Sequence, residues 1–189
     1  MMHDDDAVIS LDLPMAELSE DTKAYFAKCE EKLGLVPNVL KAYAFDEQKL
    51  RCFTELYNDL MLAPSDLSKL EREMIAVVVS SANRCHYCIV AHGAAVRSLS
   101  GDPVLGDTLS VNYRAAKLSD RHRAMLDFAW ALTMAPHEGG KSTAALHNAG
   151  FTDRAIWDIV SVAAFFNMTN RVASATSMVP NPEYYSEAR

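Results

Sequence analysis

Two cysteines three residues apart, Cys85 and Cys88, with His92 four residues past the second, are the side chains best suited to chemistry in this sequence. On a helix, residues three and four apart share a face, so two sulfurs and an imidazole would come together. The sulfurs could then reach disulfide distance with little backbone movement. The imidazole could take the proton of the Cys88 thiol, and a helix start would add its positive dipole end and unpaired N–H groups. Each influence lowers a thiol pKa from about 8.5 toward neutrality, and the thiolate is the reactive form. Cys88, nearest His92, is the expected nucleophile, and Cys85 the resolving thiol.

Glu73 is the next candidate. It falls between Leu70, Met74 and Val77, at the apolar stripe of its helix. A carboxylate there is costly unless it is paired or hydrogen-bonded. Its neighbour Glu71 has a capping explanation; Glu73 has none, so a proton-handling role beside the cysteines is expected. Other readings of the motif stay open. Cys85, Cys88 and His92 offer three zinc ligands, with Glu73 or another histidine as a fourth, and a CxxC can also be two buried thiols. No second CxxC or HxxxH completes a zinc set, so redox chemistry is the leading reading. Cys29 and Cys52 lie on apolar faces and are expected to be inert core residues.

The elements that must position these groups read as helices, and alternating strands are absent. Ser19 caps a first helix bearing Tyr25, Phe26, Cys29 and Leu33, which Gly34 stops. Pro37 opens a short segment, and Asp46 caps a long helix carrying Leu50, Phe53, Tyr57 and Leu60. Ser68 with Glu71 reads as a capping box for a helix running to about Ala82. Asn83 is expected to start the cysteine helix, which ends near Gly101. Residues 101–117, with Gly101, Pro103 and Gly106, read as a looser connection with room for a short helix. Ser119 caps a helix ending before Pro136, a shorter one ends at Gly150, and Thr152 starts a long one. A weak repeat aligns Leu67, Ser68, Arg72 and Met74 with Leu118, Ser119, Arg123 and Met125. The expectation is an all-α compact bundle. It has an acidic extended segment over 1–18, one helical domain over 19–178 and a polar tail over 179–189.

Half of the 189 residues are hydrophobic, enough for a sizeable core, and the formal net charge is −7. That charge argues against nucleic acid and anionic membranes as partners. The start, MMHDDD, lacks the basic and apolar stretches of a secretory signal, so a cytoplasmic, reducing location is expected.

Glu73, then Cys85-x-x-Cys88 twelve positions on, then x-x-x-His92, resembles the signature of AhpD-like alkylhydroperoxidases in the carboxymuconolactone decarboxylase superfamily. The flanking text agrees: Leu67-Ser68 before Glu71-Arg72-Glu73, the Ser80–Asn83 lead-in, and Phe166-Asn167 with Asn170-Arg171-Val172. The last group resembles the peroxidase-related branch, and the likeness runs from about Ser19 to Met178. It implies a helical fold assembling as a trimer or hexamer and a thiol peroxidase needing no cofactor. In such proteins the downstream cysteine attacks the peroxide, the upstream one closes a disulfide, and histidine and glutamate relay protons. Those roles fall on Cys88, Cys85, His92 and Glu73. The implied partners are a small hydroperoxide and an external dithiol reductant, carried in well-known members by a lipoyl group on a partner protein. Tyr87 stands where the prototype has a second relay histidine, and a phenol of pKa about 10 is a poor base at neutral pH. The relay is therefore expected to be shorter, running from Glu73 through Tyr87 or through water. A non-redox enzyme like the lactone decarboxylases, and a zinc-holding structural module, are the alternatives.

Overall fold

Short polar side chains start most of the helices. Ser19, Asp46, Ser68, Asp102, Ser119 and Thr152 each accept a backbone N–H from the first turn that follows. Such caps satisfy donors that have no partner inside a helix. The helices they open are α1 (Glu20–Leu33), α3 (Glu47–Leu62), α4 (Lys69–Ala82), α6 (Pro103–Asn112), α7 (Asp120–Met134) and α9 (Asp153–Ala175). Between them lie α2 (Asn38–Tyr43), α5 (His86–Ser100) and α8 (Thr143–Asn148). The computed structural model describes residues 7–141 and 143–189, and among these there is no strand. The expected segment over 1–18 is non-helical from residue 7 on, while residues 1–6 lie outside the described residues.

The chain is all-α, and α4 is its axis. From Glu71 to Ser80 every residue of α4 is buried, and it packs against α3, α5, α6, α7 and α9. A helix apolar on all sides belongs at the centre of a bundle. The Ser68 capping box forms in full: Glu71 N–H donates to Ser68 Oγ at 3.1 Å, and Ser68 N–H to Glu71 Oε2 at 2.8 Å. Arg72 reaches back to the carbonyls of Leu60 and Ala63 at the end of α3, and Arg123 to those of Tyr113 and Ala116 ahead of α7.

Two local expectations are corrected and a third is sharpened. The short helix allowed for in residues 101–117 is a regular ten-residue one, α6, because Asp102 caps it and Pro103 sits in its first turn, where a missing N–H costs nothing. Asn83 ends α4 rather than starting α5, and Arg84 takes a left-handed φ of 55° before α5 begins at His86. Cys52 is exposed and Cys29 only partly buried, so neither is the core residue expected.

The termini are tied to the bundle. Ser10 N–H bonds to Thr176 O, Val179 N–H to Val8 O, and Ala16 N–H to Ala44 O. Arg97 of α5, itself buried, donates to the carbonyls of Tyr184 and Glu187 and so holds the C-terminal tail. It has room because α6 presents Gly106 there; a Cβ would come within 2.7 Å of Arg97 Cγ. No helix among the described residues is long and apolar enough to cross a membrane.

Candidate active site

The turn between α4 and α5 sets the cysteines. With Arg84 left-handed, Cys85 N–H bonds back to Ser80 O at 3.0 Å, and Cys85 becomes the N-cap of α5 with extended backbone. Cys88 sits in the first turn of α5 and His92 one turn on. The expected single helical face thus holds for Cys88 and His92, while Cys85 leans off the helix start. Both sulfurs are buried, and Cys88 donates its S–H to Cys85.

This hydrogen bond decides where the charge rests. It is the largest influence holding the Cys85 pKa down to about 6 against the opposing cost of burial. The Cys88 backbone N–H, the Ser174 hydroxyl and the His92 charge act in the same direction. As the donor, Cys88 is pushed well above the ordinary thiol value, with burial and the Cys85 charge adding to the effect. Together these influences favour the thiolate on Cys85 over one on Cys88.

Glu73 and His92 meet. His92 Nδ1 lies 2.7 Å from Glu73 Oε2, with both side chains largely buried. The carboxylate can only accept, so Nδ1 carries the hydrogen and Nε2 is the nitrogen left for other work. Phe166 braces the ring edge-on at 4.5 Å. Tyr87 takes no part in this pair. Its phenol accepts the Val39 N–H at 3.0 Å, and burial raises its pKa. The expected Glu73–Tyr87 path is thus replaced by a direct Glu73–His92 contact. His86 points away to Tyr185 at 2.8 Å. Among the described residues no three His, Cys, Asp or Glu side chains are grouped as metal ligands.

Two polar residues at Cys88 escaped the sequence reading. Ser80 and Asn170 both hydrogen-bond the Cys88 sulfur, and Asn170 Nδ2 also donates to Ser80 Oγ at 2.9 Å. Asn83 in turn donates to Asn170 and Asn167. A signal existed: Ser80 lies seven residues after Glu73, on the same buried face of α4. Asn170 likewise falls in register with Ala163 and Phe166 on the buried stripe of α9.

Cys88, Tyr87, His92 and Glu73 line a cavity of about 700 Å³. Its walls are mainly apolar, with Leu40, Phe53, Tyr57, Phe165 and Phe166 prominent. Cys29 also borders this space, half-buried and with its pKa raised by burial. Cys85 borders a separate groove of about 480 Å³, with Arg84, His86, Ser174, Met178 and Tyr185.

An all-α bundle with a buried CxxC pair beside a Glu–His couple defines a class, and comparison with known proteins gives the family. The carboxymuconolactone decarboxylase family model matches residues 48–103, which contain Glu73, Cys85, Cys88 and His92. An uncharacterized peroxidase-related protein from Silicibacter sp. TM1040 is 60% identical over 100% of both chains, with a TM-score of 0.95. A protein from Ralstonia eutropha JMP134, described as an alkylhydroperoxidase AhpD core and uncharacterized peroxidase-related protein, is 39% identical over 97% of each chain, with a TM-score of 0.92. The debrominase Bmp8 shares the fold, with a TM-score of 0.74 at 18% identity over 90% of this chain and 92% of its own. No curated protein matches significantly. The chain belongs to the AhpD-like proteins of the carboxymuconolactone decarboxylase superfamily.

Proposed function

We propose that this protein is a thiol-dependent reductase of organic hydroperoxides that cycles through a Cys85–Cys88 disulfide. The observation that carries this reading is the meeting of Cys88 with the Glu73–His92 pair on one apolar cavity. The volume and aromatic lining favour a hydroperoxide with a bulky apolar group over hydrogen peroxide, because burying that group contributes roughly 25 cal/mol per Å².

In the first step Cys88 Sγ attacks the terminal peroxide oxygen as its proton passes to the Cys85 thiolate, already its hydrogen-bond acceptor. The O–O bond breaks, and the departing alkoxide takes from His92 Nε2 the proton that Cys85 gave up on ionising, His92 entering the step as imidazolium with Glu73 holding the ring through Nδ1. Cys88 is left as a sulfenic acid. Cys85 then loses its proton and attacks Cys88 Sγ; hydroxide leaves, takes up that proton and departs as water. The sum is two thiols and ROOH giving one disulfide, ROH and water. An external dithiol restores the pair.

A cytoplasmic, reducing setting suits the cycle. Assembly into a homo-oligomer is supported by α1, none of whose residues is fully buried, and by Leu33, Leu62 and Leu99, exposed at the cavity mouth. The test is to expose reduced protein to cumene hydroperoxide and count free thiols. Of the four cysteines, all free at the start, two should be lost, and Cys85→Ser should abolish disulfide formation. Four persistent free thiols after prolonged exposure would refute the proposal.

A further inference from the structure

The two sulfurs of the pair face different openings. Cys88 borders the large apolar cavity and not the smaller groove; Cys85 borders the groove and not the cavity. Their hydrogen bonds agree with this division. The Ser174 hydroxyl that reaches Cys85 lines the groove, whereas Ser80 and Asn170 at Cys88 line neither space. Tyr87 forms part of both walls. The C-terminal tail continues the partition, with Tyr184 on the cavity side and Tyr185, hydrogen-bonded to His86, on the groove side.

Resting on the disulfide cycle proposed above, we infer that the groove on the Cys85 side is the entry site for a slender dithiol reductant, on the opposite side from the peroxide. Thiol–disulfide exchange needs the attacking sulfur to approach in line with the bond it breaks, and access selects which sulfur is attacked. From the groove, the reductant thiolate meets Cys85 Sγ. A new S–S bond forms there, the Cys85–Cys88 bond breaks, and the electron pair leaves on Cys88, the less acidic and slower leaving group, which takes up the proton the reductant thiol released; access from the groove outweighs that cost. The second thiol of the reductant, as thiolate, then attacks its partner sulfur in the mixed disulfide. Cys85 leaves as a thiolate, and the reductant departs as its own disulfide. Two features of the groove suit this guest. Its volume of about 480 Å³ admits a small dithiol and not a folded protein surface. Exposed Arg84 at its edge has no ion-pair partner among the described residues and supplies a positive charge for an incoming thiolate. Arg84 also lies one residue from Cys85, held by the left-handed turn.

The experiment separates this idea from the peroxidase reading by making the disulfide with diamide, so no peroxide is involved. The oxidised protein is mixed with excess 2-mercaptoethanol, an alkyl monothiol, quenched with N-ethylmaleimide and mapped by mass spectrometry. The expected product carries the mixed disulfide on Cys85 and the maleimide on Cys88. A mixed disulfide on Cys88, or no Cys85–Cys88 disulfide with diamide, would overturn the inference. A second measurement uses Val179→Trp, which places bulk at the groove, where Val179 is half exposed. Reduction of its diamide-formed disulfide by dithiothreitol should slow at least about fivefold relative to wild type. An unchanged rate would also overturn the inference. Loss of peroxide reactivity with the labelling pattern intact would instead count against the peroxidase reading alone.

Discussion

Removing the Cys88 thiol should make Cys85 less acidic, although Cys88 carries no charge. Cys85 titrates near 6 chiefly because Cys88 donates a hydrogen bond to it. At pH 7 a thiol of pKa about 6 is about 90% thiolate, whereas a free thiol titrating near 8.5 is about 3%. A hydrogen bond to a charged sulfur is stronger than one between neutral groups, and the shift is in that direction. In Cys88→Ala that donor is gone, and burial opposes what remains. The Cys85 midpoint should therefore return most of the way to the free value, and its thiolate at pH 7 should fall about tenfold. The assay is ultraviolet absorbance of thiolate against pH, in a background with Cys29 and Cys52 replaced by serine. Stability should follow the same titration. The contribution of Cys85 is absent below about pH 6, where folded and unfolded chains both hold the proton, and grows between about 6 and 8.5. Above that range the unfolded chain also ionises Cys88, which the folded one keeps protonated, so stability should fall again. A Cys85 midpoint that stays near 6 in Cys88→Ala, or one near 8.5 in the wild type, would refute this reasoning.

Two further substitutions test the neighbouring groups. Glu73→Gln keeps the shape but removes the charge that orients His92; a hydrogen bond to a charged partner is worth about 1.5–3 kcal/mol, so stopped-flow oxidation by cumene hydroperoxide should slow about 10- to 150-fold. A rate within twofold of wild type would remove Glu73 from the mechanism. Tyr87→Phe should cost about 1 kcal/mol in urea denaturation, through the lost bond to Val39, with oxidation rates nearly unchanged. A large rate loss at unchanged stability would instead put the phenol in the proton path.

Much of this protein is legible from short-range chemistry. Ser19, Asp46, Ser68, Ser119 and Thr152 cap the helices they were expected to cap, because a cap needs only its own side chain and the next turn. Glu73 was found by the cost of a carboxylate in an apolar stripe, and it does have a partner, His92. The same logic applied to Ser80 and Asn170 would have found them, but serine and asparagine are tolerated in helices often enough to attract less notice. What stayed hidden was set by backbone geometry. Nothing in Arg84 announces a left-handed turn, a conformation that usually calls for glycine. That turn places Cys85 at the helix start instead of inside the helix. It thereby separates the spaces that the two sulfurs face. A sequence spacing fixes how far apart two residues are along a helix, not whether the helix has begun.

Tyr87 shows why the proton path is short. Helix α2 starts at Asn38 after Pro37, whose side chain can cap nothing, so its first N–H groups need partners from elsewhere. They find two: Asn38 N–H donates to Asn181 Oδ1 at 2.7 Å, and Val39 N–H donates to the Tyr87 phenol. The phenol thus substitutes for a missing cap, holding α2 against the start of α5. An imidazole at position 87 is a smaller ring whose polar atoms end closer to the backbone. A histidine there would give up this reach to α2 and could turn its nitrogen toward Glu73. The chain has the opposite arrangement: one residue supports the helix that helps wall the cavity, and one imidazole, His92, is left for the protons. In the proposed cycle the second acid–base group is consequently not a histidine but Cys85, whose thiolate receives the Cys88 proton before it acts as a nucleophile. That places two roles on one sulfur, and it makes the Cys85 titration the first property to measure.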